Sequence, residues 1–170
     1  MTRITDLAEQ IADLASSRGL WVAAAESLTG GAVSSALAAA PGASDWYHGG
    51  VVAYSPRIKQ HVLGVTPGSV VTAQCADELA AGVARVLESE AAVSTTGVGG
   101  PDPEEGEEPG TVYLGVVAPG YQDCRRVELE GSPDEVVEQA TEQALELLLH
   151  ALQQGGEQAE DAQQEHARQA

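Results

Sequence analysis

Lysine is nearly missing from this 170-residue chain: of eight basic side chains seven are arginines, and Lys59 stands alone. Bases of any kind are scarce beside 26 acids, which leaves a formal net charge of −18. A general nucleic-acid or anionic-membrane surface needs clustered Lys and Arg, so both are excluded. Any anionic ligand must be held by local features that overcome the global field. Cysteine is limited to Cys75 and Cys124, too few for a disulfide framework and without CxxC spacing. His48, His61, His150 and His166 are scattered, so no metal site is expected. Long apolar runs are absent as well, which predicts no membrane span. The first twenty or so residues alternate charged and apolar types and lack the core of a signal peptide. The chain therefore reads as cytoplasmic.

What is present suffices for one globular domain. Apolar residues make up 43% of the chain, and a chain near this length buries about 68–70% of its unfolded surface. The acid is uneven: residues 99–119 carry five acids and no base, whereas the first half is nearly balanced. Most of the negative charge reads as solubility or a salt-adapted surface.

Ile4, Leu7, Ile11 and Leu14 recur at helical spacing, with Gly19 as a stop. Trp21 to Ala25 reads as a buried strand, and a second helix runs from Ala32 to Pro41-Gly42. Gly50 to Ser55 is a strand candidate. Pro56 opens a short helix that Gly64 closes. Thr72 caps a helix over 73–88. Ala91 to Thr96 is a strand, and Thr111–Ala118 with Arg125–Glu130 forms a hairpin about Pro119-Gly120. Ser132-Pro133-Asp134-Glu135 is a capping box opening a helix to about Leu152, with Val137, Ala140, Ala144, Leu148 and Ala151 inward. The pattern predicts a three-layer α/β/α domain over 1–152, its mixed sheet mostly parallel with an antiparallel edge. A polar, disordered tail is expected over 153–170.

Ligands of such sheets lie at the carboxyl ends of strands, and three segments fall there. In Glu26-Ser27-Leu28-Thr29-Gly30-Gly31 a strand turns into a helix. Ser27 can project into a cleft with backbone N–H groups beside it to hold an oxyanion, or Ser27 and Thr29 simply cap the helix. In Tyr54-Ser55-Pro56-Arg57-Ile58-Lys59 a desolvated lysine can act as a base. Equally, Arg57 and Lys59 can be solvated helix residues. In Ser94 to Pro101 the glycines can nest around a phosphate without positive charge, or merely form a tight turn. That loop is neither a Walker A sequence nor a full GxGxxG. Asp102, Glu104, Glu105, Glu107 and Glu108 read as a solvated acidic loop ahead of a cation site.

Taken together, Ala-Glu-Ser-Leu-Thr-Gly-Gly at 25–31, Tyr-Ser-Pro-Arg-Ile-Lys at 54–59, Thr-Gly-Val-Gly-Gly-Pro at 96–101 and Gly-Thr-Val-Tyr at 110–113 resemble one family. It is the C-terminal domain of the competence/damage-inducible CinA proteins, in stand-alone form, over roughly residues 4–152. The resemblance implies a nicotinamide-nucleotide amidase that hydrolyses nicotinamide mononucleotide to nicotinate mononucleotide and ammonia, with no metal or cofactor. It assigns Ser27 as nucleophile, assisted by Tyr54 and Lys59. Backbone near Thr29, Gly30 and Gly31 would hold the oxyanion, and Arg57 with Thr96, Gly97, Gly99 and Gly100 would receive the nucleotide. The partner expected is a pyridine nucleotide, with self-association into a homo-oligomer. Leu28 stands where the family has cysteine, and Pro103-Glu104 stands for a glycine pair. Glu108-Pro109-Gly110-Thr111-Val112 lacks a lysine and a valine. Carboxylates in place of a base weaken the hold on an anionic nucleotide. The alternatives are a catalytically weak relative that binds a nucleotide or a protein partner in competence or DNA damage, and an amidase for an uncharged amide.

Overall fold

The computed structural model describes the backbone of residues 2–168 and the side chains of residues 2–155. Helix α1 (Arg3–Arg18) starts where the Thr2 hydroxyl accepts from the Thr5 N–H, and ends on Gly19 in the left-handed region at φ 61°. Leu7, Ala8, Ile11, Ala12 and Ala15 are its buried stripe. The apolar run that follows is β1 (Val22–Glu26), buried at every position. Helix α2 (Ala32–Ala38) leads to β2 (Tyr47–Val52), then α3 (Pro56–Leu63), α4 (Ala73–Val86), β3 (Ala91–Gly97), β4 (Thr111–Ala118), β5 (Tyr121–Glu128) and α5 (Pro133–Arg168).

The five strands lie in the order β2-β1-β3-β4-β5. Strands β2 and β3 flank β1 in parallel, while β4 runs antiparallel to both β3 and β5. Only β4 therefore opposes the common direction. Alternate β1 side chains enter two cores, as a strand buried on both faces requires. Val22 and Ala24 pack with α1, α2 and α5, whereas Ala23 and Ala25 pack with Leu63 of α3 and Leu79 and Val83 of α4. The result is the three-layer α/β/α architecture expected. After β1 the chain first builds β2 on one side and then crosses to β3 on the other. The carboxyl ends of β1 and β3 thus meet at a topological switch point, where open α/β sheets bind ligands.

Several boundaries differ from the sequence pattern, among them the start of β5 at Tyr121 rather than Arg125 and the end of β2 at Val52 rather than Ser55. Strand β2 begins at Tyr47 rather than Gly50, because pairing with β1 starts at Val22↔Tyr47. Gly50 belongs inside that strand for want of room, since a Cβ there would sit 2.0 Å from Ser34 Oγ. Helix α5 opens on the expected capping box, with the Ser132 N–H donating to Glu135 Oε2 at 2.7 Å. It runs past the end expected near Leu152, with helical backbone to Arg168. Gln, Glu and Ala are good helix formers, and extending a nucleated helix is easier than starting one. Gln169 and Ala170 lie outside the described residues.

Helices α3 and α4 approach so closely at Gly82 that a Cβ there would fall 2.1 Å from the Leu63 carbonyl oxygen. Gly82→Ala is expected to lower stability by roughly 1–3 kcal/mol, since backbone must move to admit the methyl. Thermal unfolding should show this as a drop of about 2–4 °C per kcal/mol.

Candidate active site

Glu26 is the last residue of β1, and its carboxylate is buried, with the residue only 1% exposed. The chain then turns through Gly30 and Gly31, both at positive φ (56° and 108°). This left-handed turn points the first N–H groups of α2 back at Glu26. Oε2 accepts from the N–H of Gly31 (3.1 Å) and Val33 (3.0 Å), and Oε1 from that of Ser34 (2.7 Å). The Thr29 hydroxyl donates to Oε2 at 2.7 Å. Having given its only proton, Thr29 must accept from Thr95 Oγ1 at 2.8 Å, and Thr95 in turn accepts the Ser27 N–H at 3.4 Å. A buried relay therefore runs from the backbone of Ser27 to the Glu26 carboxylate and fixes the serine's place.

Lys59 reaches the same serine from α3. It lies in the first turns of that helix, which the Ser55 hydroxyl caps and Pro56 opens. Its side chain runs inward to 1% exposure. Lys59 Nζ lies 2.9 Å from Ser27 Oγ and donates to the Tyr54 carbonyl at 3.4 Å. Burial holds Lys59 below its ordinary lysine value, while the nearby Cys75, Glu105 and Glu104 act to raise it. The depression favours a neutral amine, which can accept a proton. Burial also pushes the Cys75 thiol up to about 11. At neutral pH Cys75 is thus an unreactive neighbour, since the thiolate is the nucleophile.

A cavity of about 160 Å³ opens over Ser27, lined by Leu28, Tyr54, Gly97, Gly99, Gly100 and Glu104, with Pro133 and Val137 from the first turns of α5. The sequence candidates divide around it. Ser27, Lys59 and the three glycines converge, and Tyr54 is present at the mouth with 72% exposure. Tyr54 contacts the lysine through its carbonyl rather than its phenol. Arg57 is exposed on α3 and is not among the lining residues. Thr96 is buried and gives its hydroxyl proton to the Val70 carbonyl at 2.6 Å, turning away from the cavity. Gly30 and Gly31 do not offer free donors, because the Gly30 N–H bonds the Ser27 carbonyl at 3.0 Å and the Gly31 N–H bonds Glu26. Among the described residues, the turn's N–H groups without a protein acceptor are those of Leu28 and Thr29.

The acidic loop is solvated as expected, with Asp102, Glu104, Glu105 and Glu108 exposed, but it is also tied down. Glu105 accepts from the N–H groups of Val70 and Val71 at 2.9 and 3.0 Å, tying the loop to the segment before α4. Glu104 faces the cavity. Glu26 and Thr95 are the functional candidates that sequence reasoning missed. Among the described residues no group of three or more His, Cys, Asp or Glu is placed to hold a metal ion. No helix among them is long and apolar enough to cross a membrane.

Fold and site together define a three-layer α/β protein with a buried lysine set against a serine at the sheet's switch point. The chain belongs to the CinA C-terminal domain family, which it matches over residues 4–152. It is 38% identical over 155 residues to a competence-damage inducible protein of Bacillus velezensis, covering 88% of this chain and 37% of that protein. A namesake from Geobacillus kaustophilus is 42% identical over 125 residues, 70% of this chain and 30% of the relative. The chain thus spans about a third of the length of these curated relatives. Among solved structures, a CinA superfamily protein from Enterobacter cloacae superposes with a TM-score of 0.85 at 31% identity, covering 88% of this chain and 92% of that one. A competence or damage-inducible protein from Enterobacter asburiae gives 0.85 at 30% identity, with 89% and 99% covered.

Proposed function

We propose that this domain is an amidohydrolase that converts nicotinamide mononucleotide to nicotinate mononucleotide and ammonia. The observation that carries the reading is the 2.9 Å approach of a buried Lys59 Nζ to Ser27 Oγ. A serine hydroxyl is a weak nucleophile until a base takes its proton, and a desolvated lysine is such a base.

In the first half-reaction the Ser27 proton passes to Lys59 Nζ as Oγ bonds the amide carbon. The N–H groups of Leu28 and Thr29 receive the developing oxyanion. Lys59 then returns the proton to the amide nitrogen, the C–N bond breaks, and ammonia leaves an ester on Ser27. In the second half, water gives a proton to Lys59 and attacks the ester carbon. The tetrahedral species expels Ser27 Oγ, which recovers the proton, and the acid product ionises. The base is used twice and regenerated.

A second reading, a nucleotide- or protein-binding relative with little turnover, draws on Glu104 at the cavity and the lack of a basic side chain in its lining among the described residues. Incubating the purified protein with nicotinamide mononucleotide separates the two. The amidase reading expects ammonia and nicotinate mononucleotide in equal amounts. Binding of the nucleotide with no ammonia released supports the second reading and removes the first.

A further inference from the structure

The charge at the rim of the cavity, on a solvent-exposed side chain, is the opposite of what a phosphate would choose. Glu104 is the one ionisable carboxylate or base among the lining residues, and its companions are small or apolar: Leu28, Val137, Tyr54 and the glycines of the 97–100 loop. The same carboxylate is near enough to act on Lys59. Its placement is fixed by backbone: Glu104 and Glu107 exchange N–H···O bonds of 3.1 and 2.9 Å. At about 160 Å³ the space is smaller than the roughly 300–1,000 Å³ of a site that encloses a drug-sized ligand. It holds one ring-sized group, leaving the rest of a nucleotide outside.

We infer that Glu104 makes this cavity selective for a flat organic cation, a pyridinium-type carboxamide, over its neutral counterpart and over the carboxylate product. For the amide group the inference rests on the amidase reading; for the charge it rests on the cavity alone. A ring carrying a fixed positive charge brings that charge within several ångströms of the carboxylate, with the open Tyr54 ring at the mouth adding a π face. Across about 6 Å in a water-like to partly screened medium, such an attraction is worth roughly 3- to 10-fold in affinity. Once the amide has become a carboxylate, the same side chain repels it and speeds its departure.

The test uses two ligands that share the carboxamide ring and differ by one fixed charge, 1-methylnicotinamide and nicotinamide. Calorimetric titration of the intact protein should show the cation binding about 3- to 10-fold tighter than the neutral ring, with the margin shrinking as salt is raised. In Glu104→Gln the margin should disappear, because the amide keeps the shape and loses the charge. Glu108→Gln, outside the lining, should leave it intact. Equal affinities in the unmodified protein, no binding of the cation, or a margin that survives Glu104→Gln each overturns the inference. Ammonia release from nicotinamide mononucleotide is followed in parallel. Ammonia without a charge preference leaves the amidase standing and removes this inference. A charge preference without ammonia does the reverse.

Discussion

Ser27→Ala and Lys59→Met should each lower ammonia release from nicotinamide mononucleotide by roughly 10³-fold or more, and the double variant by little beyond either single one. In the proposed mechanism nucleophile and base act as one unit, so removing one strands the other. Independent contributions would instead multiply, and rate losses that multiply in the double variant would dismantle the serine–lysine mechanism. Lys59→Arg discriminates further. A guanidinium stays protonated in proteins and cannot take the serine proton, so arginine should be as inactive as methionine despite keeping the charge. Full turnover in Lys59→Arg would end the role of a neutral lysine. Circular dichroism on all variants separates lost chemistry from lost fold.

The same residue gives the pH dependence a sign. Burial lowers Lys59 in the folded chain relative to the ordinary value of 10.5, so kcat/KM should rise with pH as the neutral amine grows, then level off above the lowered value. Stability follows linkage. Below the lowered value both folded and unfolded chains carry the proton, and the folded one bears the full cost of burying it. Between that value and 10.5 the unfolded chain binds more protons, so the cost fades as pH climbs. Lys59→Met, which buries no charge, should gain most over the unmodified protein at low pH and lose that advantage as pH rises. Paired denaturant titrations across pH would show it.

How much of this was legible in the sequence depends on what fixes each feature. Helix ends written in local chemistry read correctly: Gly19 and Gly64 both close helices in the left-handed region, and Thr72 caps α4 through the Cys75 N–H. Strand β2 was placed late because its start is set by a partner strand, which periodicity does not see. The serine and lysine lie 32 residues apart, and nothing local joins them. Family motifs and the scarcity of lysine singled out both, but their contact needed the fold. In Ser94-Thr95-Thr96 the sequence favoured Thr96, yet strand alternation sends Ser94 and Thr96 to the carbonyls of Ala76 and Val70 and only Thr95 toward Ser27. A one-residue choice of face decides which threonine serves the site. The glycine turn is opaque for a related reason: Gly30 and Gly31 look like free donors in the sequence, whereas in the fold their N–H groups bond the Ser27 carbonyl and the Glu26 carboxylate.

Glu26→Ala should be among the most damaging single changes in this protein. Alanine would leave the N–H groups of Gly31, Val33 and Ser34 and the Thr29 hydroxyl without their acceptor, all four at buried or half-buried positions in or just after the turn that carries Ser27. Stranding even one buried donor costs about 1–3 kcal/mol, and more when its partner was charged. Water cannot easily replace a carboxylate that is 1% exposed. A loss of roughly 3 kcal/mol or more is expected, which at about 2–4 °C per kcal/mol is a fall of order 10 °C in Tm. Glu26→Gln keeps one carbonyl acceptor, so it should recover part of that stability while leaving the turn imperfectly held. If Glu26 acts by positioning Ser27, the glutamine variant should lose kcat more than it raises KM, with its pH profile still set by Lys59. A merely structural role predicts the opposite: folded Glu26→Gln protein with unchanged kcat. The apolar strand that buries this carboxylate therefore ends in a charge because the turn carrying the serine needs an acceptor for its amides.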